Sequence, residues 1–245
     1  MFKNILKKIK QKIIGEYSTD IALRYLPVID LLKQRALTSL SILEVGSGDF
    51  GMTTYLKKKI IGVDIIFSEQ SNQWLEKIKI NGDHFPFFDQ QFDLVLSVDN
   101  LEHISSEKRR NFIKEIARVS KQFILIVVPY GQAALQHDFY LNEFFEKTQK
   151  CKDKFLSEHL HYGLPVESEI EDYVIEAIKQ SGRKVSKINE ISLLNIYLRK
   201  LFMKCRFSKN IILNSIYYLF LLLIPMRKLL NFGKCYRKLY LFKIE

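Results

Sequence analysis

Between residues 40 and 130 short apolar runs alternate with segments of helical spacing, and few folds accept that alternation. The runs at 41–45, 60–63, 92–98 and 123–128 are rich in Ile, Val, Leu and Phe and only a few residues long. A strand with one wet face would show period-two polarity, so continuous apolar runs of this length predict strands buried on both faces, as in a parallel sheet. Residues 107–119 fall between the last two runs and place Phe112, Ile113, Ile116 and Val119 at helical spacing, with Ser105 or Ser106 available as N-cap. Alternating strands and helices predict a doubly wound α/β sheet. A second amphipathic helix is expected over 167–180, through Ile170, Val174, Ile175 and Ile178, ending near Gly182. Strands are expected near 185–191 and over 236–244.

The two ends have a different character. In residues 1–15, Phe2, Ile5, Leu6, Ile9 and Ile13 recur at three- and four-residue intervals between five lysines and no acid, which predicts a basic amphipathic helix. Lysine interrupts the apolar residues too often for a secretory signal. A further helix is expected over 19–37, kinked or split by Pro27, so that 1–37 forms a leading helical unit and 38–245 the main domain. Residues 210–226 carry no charge and include nine consecutive apolar or aromatic residues, 216–224. That is short of the roughly 20 residues of a typical membrane span, and Asn214, Ser215 and Pro225 interrupt it, so a helical apolar insert is expected at about 194–232, before the last strand.

The net charge of +11 is concentrated at these ends: residues 1–15 carry +5, 191–245 carry +10 and the middle −4. Such ends suit either an anionic membrane surface or a solvated face packed on the body. Nucleic acid is disfavoured as a partner because no recognition motif or stacking platform accompanies the basic residues. An apolar fraction of 47% with 27% charged residues excludes a disordered or fibrous chain. Cys151, Cys205 and Cys235 lack metal-type spacing, which points to a reducing compartment without a disulfide framework.

The first apolar run leads into Glu44-Val45-Gly46-Ser47-Gly48-Asp49-Phe50-Gly51, where Gly46, Gly48 and Gly51 satisfy GxGxxG in a turn expected to open a helix. Asp64 ends the second run eighteen residues after Gly46. This spacing fits NAD or another adenosine cofactor equally. Three features separate them. Glu44, two residues before Gly46, suits a ligand with a positive amino group and would repel a pyrophosphate. Gly82-Asp83-His84-Phe85-Pro86-Phe87 follows the third strand with a carboxylate and aromatic rings suited to an adenine. The fourth strand ends in the polar cluster Asp99-Asn100-Leu101-Glu102-His103.

Together these motifs resemble the class I S-adenosylmethionine-dependent methyltransferases, in their small-molecule, type 11-like branch. The resemblance covers about residues 40–130 and implies a Rossmann-like, mostly parallel seven-stranded sheet with S-adenosylmethionine as cofactor. It implies that Glu44 and the backbone of Gly46, Ser47 and Gly48 hold the methionine part, that Asp64 takes the ribose hydroxyls, and that Asp83 binds the adenine amino group with His84 packed beside it. One departure is Phe50, where the family has glycine. Ligands of open α/β sheets lie beyond the carboxyl ends of the strands, which nominates His103 and Asp99 for catalysis, with His137, His159 and His161 in reserve. Asp99 and Asn100 have no evident third partner for a cation, so a metal-free mechanism is expected. The segment Glu158-His159-Leu160-His161-Tyr162-Gly163-Leu164-Pro165 and the final Tyr236-Arg237 strand are similar to methyltransferases of cell-surface glycan biosynthesis. That similarity implies an oxygen acceptor on a glycan or lipid-linked molecule, reached from the cytoplasmic face of a membrane. Rival readings are a quinone-like or other lipophilic acceptor, a non-catalytic cofactor-binding partner subunit, and an NAD-dependent oxidoreductase, against which Glu44 argues.

Overall fold

The computed structural model describes residues 14, 17–81 and 84–245. The expected basic helix at 1–15 and the expected adenine-binding Asp83 lie outside the described residues, apart from Ile14. Strands β1 (Ile42–Val45), β2 (Ile60–Asp64), β3 (Leu75–Lys79), β4 (Phe92–Val98), β5 (Ser120–Pro129), β6 (Val185–Asn195) and β7 (Cys235–Ile244) form one sheet in the order β3-β2-β1-β4-β5-β7-β6. The first five are parallel, and β7 lies antiparallel between β5 and β6.

Period-two alternation sends each central strand's side chains to two cores. Leu43, Val45, Val95, Ile124 and Ile126 share one core with residues of helices α2 (Ser106–Val119) and α5 (Glu167–Gln180). Ile42, Leu94, Leu96, Leu125 and Val127 share the other with Val28, Ile29 and Leu32 of helix α1 (Thr19–Gln34). Ser18 caps α1, which runs unbroken through Pro27 instead of splitting there. Burial of its apolar face outweighs the one backbone hydrogen bond that proline removes.

A larger difference lies between β1 and β2. The glycine turn opens no α-helix; the connection holds only the 3-10 turn Gly51–Thr54. Gly46, Gly48 and Gly51 all have positive φ, which breaks helical continuity, and Thr53 and Thr54 are weak helix formers. Met52 packs under α1 in its place, and the Tyr17 hydroxyl donates to the Gly51 carbonyl at 2.8 Å.

Three helices, α3 (Gly131–Gln149), α4 (Lys154–Tyr162) and α6 (Ile196–Phe207), share a small core of Leu141, Leu156, Phe202 and Met203. Between β6 and β7 the chain continues from α6 through a short helix Ile211–Leu219 and the 3-10 segment Phe220–Leu230. Leu221 and Ile224 are buried with Ala22 and Leu23 of α1, whereas Ile212, Leu222, Met226 and Leu229 are exposed. The apolar run thus both packs on the body and faces outward. No helix among the described residues is long and apolar enough to cross a membrane.

The basic C-terminal part is likewise not all surface. Arg199, Arg237 and Lys238 are buried and paired, Lys238 with Glu167 and Glu190 and the two arginines with buried aspartates. Cys151, Cys205 and Cys235 are all free thiols.

Candidate active site

The glycine turn sits at the carboxyl end of β1. The N–H groups of Gly46 and Ser47 both donate to the Val63 carbonyl, at 2.8 and 3.4 Å, and that of Gly48 donates to Asp64 Oδ2 at 2.8 Å. Among the described residues Asp64 Oδ1 accepts from Ile66 N alone, at 3.3 Å, which leaves lone pairs free on a half-buried carboxylate. A Cβ on Gly48 would meet nothing within 4 Å, whereas one on Gly46 would strike the Asn100 side chain at 2.6 Å. The first opens backbone to a ligand, and the second ties the turn to the end of β4. Ile65 and Ile66, 60% and 67% exposed, add an apolar surface beside Asp64 that no sequence motif had marked.

Glu44 does not face an open surface, as the sequence had suggested. It is 0% exposed, and its Oε2 accepts the Met52 N–H at 2.8 Å. Burial pushes its carboxyl up from 4.5 to about 7, against the Met52 N–H and the Tyr25 hydroxyl, with Asp64 adding to the rise. Because the unfolded chain gives up this proton first, stability falls as the pH rises from about 4.5 to 7. Glu44→Gln removes that penalty while keeping an acceptor for Met52. The urea-unfolding free energy of the variant should gain on the parent by about 2–3 kcal/mol between pH 5 and pH 8; a pH-independent difference would refute this account.

His84 is exposed, with Nδ1 3.0 Å from Glu115 Oε2. The loop that carries it is fixed by Glu115 and Arg118, which bind the Phe85 N–H and the Phe85 and Phe87 carbonyls at 2.8–3.0 Å. His84 therefore turns toward Glu115.

At the end of β4, Asp99 adopts a left-handed backbone with φ +47°. Its carboxylate is buried, with Oδ2 2.6 Å from Arg237 Nε and 3.1 Å from Arg24 Nε. Arg24 and Arg237 also flank buried Asp20. Asp99, nominated for catalysis, is thus engaged by Arg237 and Arg24 in an ion-pair network. His103 closes the 3-10 turn Leu101–His103, and its Nδ1 is 2.8 Å from Glu158 Oε2. Its ring centroid lies 4.9 Å from that of His159, and burial together with His159 lowers its pKa below the ordinary imidazole value. His159 Nδ1 is 2.7 Å from Asp138 Oδ2, which also accepts from the Tyr236 hydroxyl at 2.6 Å. Of the reserve histidines, His159 joins His103, His137 is taken into the network by Arg199 Nη1 at 2.8 Å, and His161 is exposed against Tyr162. Glu102, fully buried beside His103 and His159, is the residue the sequence reading passed over.

The geometry separates the two cofactor classes. A dinucleotide fold offers its pyrophosphate an α-helix N-terminus after the glycine turn, on a sheet of order 3-2-1-4-5-6. Here the turn's N–H groups are bound internally, no α-helix follows, and an antiparallel strand lies between β5 and β6. Residues 43–125 match the model of the family described as Methyltransferase domain. This chain carries a class I S-adenosylmethionine-dependent methyltransferase domain.

The methyltransferase domain has relatives at several distances. An uncharacterized protein of Methanocaldococcus jannaschii is 32% identical over 123 residues, which cover 46% of this chain and 55% of that protein. This chain therefore spans about half the length of the curated relative it matches. Two solved structures share the fold at low identity. Magnesium protoporphyrin IX methyltransferase from Synechocystis PCC 6803, solved with bound SAH, has a TM-score of 0.52 at 10% identity, with 99% of this chain and 95% of that chain covered. A SAM-dependent methyltransferase from Thermotoga maritima has a TM-score of 0.50 at 15% identity, with 97% and 99% covered.

Proposed function

We propose that this protein transfers a methyl group from S-adenosylmethionine to an oxygen of a glycan or lipid-linked small molecule at a membrane surface. The observation that carries the reading is the lock between Gly48 N and Asp64 Oδ2, which holds a glycine backbone with open space above it beside a carboxylate with free lone pairs. The donor set fits the cofactor: Asp64 for ribose hydroxyls, the apolar Ile65–Ile66 pair for a flat base, and the Gly46–Gly48 backbone for the methionine chain. Glu44 supports this turn from beneath through Met52. S-adenosylmethionine supplies a methyl on a sulfonium leaving group, so what remains for the protein is in-line placement and help with the acceptor's proton. His103, at the strand end nearest the turn and braced by Glu158, is where that help is located.

The acceptor class rests on the insert. Tyr197, Ile212, Leu222, Met226 and Leu229 expose apolar side chains on a segment that also exposes Lys209 and Lys228, a composition suited to an anionic lipid surface.

Two experiments test the reading. Calorimetric titration should give saturable binding of S-adenosylhomocysteine and none of NAD, and the reverse result would overturn it. The protein should sediment with vesicles containing anionic phospholipid and lose most of that binding when Ile212, Leu222 and Leu229 are changed together to Asp. Unchanged sedimentation of the variant would remove the insert from the membrane reading.

A further inference from the structure

We infer that Glu102, His103 and His159 form a binding site for a divalent transition-metal cation, which takes the acceptor's hydroxyl as a further ligand. The role rests on the methyltransferase reading above, but the binding does not. One ligand atom from each of the three residues lies within 4.8 Å of the others. Two imidazoles and a carboxylate are a donor set for Zn²⁺, Fe²⁺ or Mn²⁺, and three protein ligands leave positions open. Ligands around such an ion lie about 3–3.5 Å apart, so loading draws the three together by small side-chain rotations.

Two further observations single out this cluster. Each histidine has its Nδ1 against a carboxylate, His103 at 2.8 Å from Glu158 and His159 at 2.7 Å from Asp138. That arrangement fixes the tautomer and leaves Nε2 for a metal, and it is the outer shell that metal-binding histidines carry. Glu102, only 1% exposed, has an Oε2 with no hydrogen-bond partner among the described residues. An interior carboxylate oxygen without a donor is costly, and a cation beside it removes the cost. Arg24 and Arg237, the charged neighbours that would oppose an ion, are already paired with Asp20 and Asp99. The other acidic cluster, Glu167, Glu171 and Glu190, differs on this point: it is exposed or half-buried, and the Lys238 amine already bridges Glu167 and Glu190.

The site lies next to the methyl donor's place, because Asn100, two residues before Glu102, packs against Gly46. A cation there lowers the pKa of a bound hydroxyl. The hydroxyl proton leaves to solvent and the acceptor oxygen bonds to the methyl carbon. The carbon–sulfur bond breaks with its electron pair on sulfur, giving a methyl ether and S-adenosylhomocysteine. His103 then gives its help with the acceptor's proton as a ligand of the ion, not as a free base. The cluster was invisible in the sequence because His159 is 56 residues beyond His103, which replaces the metal-free expectation with this site.

The test uses the full chain, stripped with chelator and titrated with Co²⁺ and Zn²⁺, with S-adenosylhomocysteine binding measured in parallel. We expect about one Co²⁺ per chain, with visible d–d absorption that Zn²⁺ displaces. Glu158→Gln, at a partly exposed position, should weaken Co²⁺ binding ~10–100-fold and leave S-adenosylhomocysteine affinity unchanged. Glu102→Gln and His159→Gln, checked for fold by circular dichroism, should abolish the absorption. Absence of a saturable Co²⁺ signal, or a signal indifferent to all three substitutions, would overturn the site. If S-adenosylhomocysteine still binds in that case, the methyltransferase reading stands without it; a metal signal with no S-adenosylhomocysteine binding would support the site and sink that reading.

Discussion

Asp64→Ala is expected to weaken S-adenosylhomocysteine binding at least ~100-fold, a loss of about 3 kcal/mol. Two effects act together. The ribose loses charged acceptors, each worth about 1.5–3 kcal/mol, and the glycine turn loses the bond from Gly48 N that holds it against β2. Asp64→Asn keeps a neutral acceptor for one partner and should fall between. Asp64 is half-buried at a strand end, so the urea midpoint should move little in either variant. Parent-like affinity in Asp64→Ala, measured by calorimetry, would overturn the ribose assignment.

The second large effect concerns stability. Arg237→Met keeps the aliphatic bulk of a side chain that is 2% exposed but removes the cation between Asp99 and Asp20. Breaking a buried ion pair from one side costs about 3–5 kcal/mol, which is a large part of the 5–15 kcal/mol of a typical domain. Against the upward push of burial, Arg24 and then Arg237 hold the Asp20 carboxyl well below its ordinary range. The stability this gives is present above the unfolded value of about 3.8 and lost as the pH falls toward the lower folded value. With Arg237 gone, Asp20 protonates more readily, so the penalty of the variant should shrink between pH 7 and pH 3, with the change falling below about pH 4 in urea titrations. An equal penalty at both pH values would mean that packing, and not charge, is what Arg237 contributes.

What the sequence disclosed depended on how local each signal was. The buried strands were legible because their runs are continuous, and β4 has the bounds expected of it, 92–98. The α5 helix (Glu167–Gln180) was equally plain from its four apolar positions. The glycine turn and Asp64 were readable from spacing, but the helix expected after the turn was read from the glycine motif alone, and Thr53 and Thr54 do not support it. The long-range chemistry was hidden. Nothing near Asp99 announces Arg237, 138 positions away, and separations of 21 and 98 positions concealed Asp138 under His159 and Tyr236. Basic residues near the C-terminus looked like surface because a one-dimensional charge count cannot tell a solvated lysine from Lys238, which lies inside the sheet.

The place of β7 also dictates an order of assembly. Strand β6 pairs only with β7, and β5 keeps an open edge until β7 arrives, which happens after a detour through residues 196–234. The last tier of the molecule is therefore a late, high-contact-order event, in which one insertion zips two ladders and quenches Asp99 and Asp138 at once. Before it, the nascent chain presents a long unpaired apolar border of the kind that recruits other chains. Crowded synthesis, more than heat, is the circumstance in which this protein should be most easily lost to aggregates, with lesions in 235–244 the most damaging.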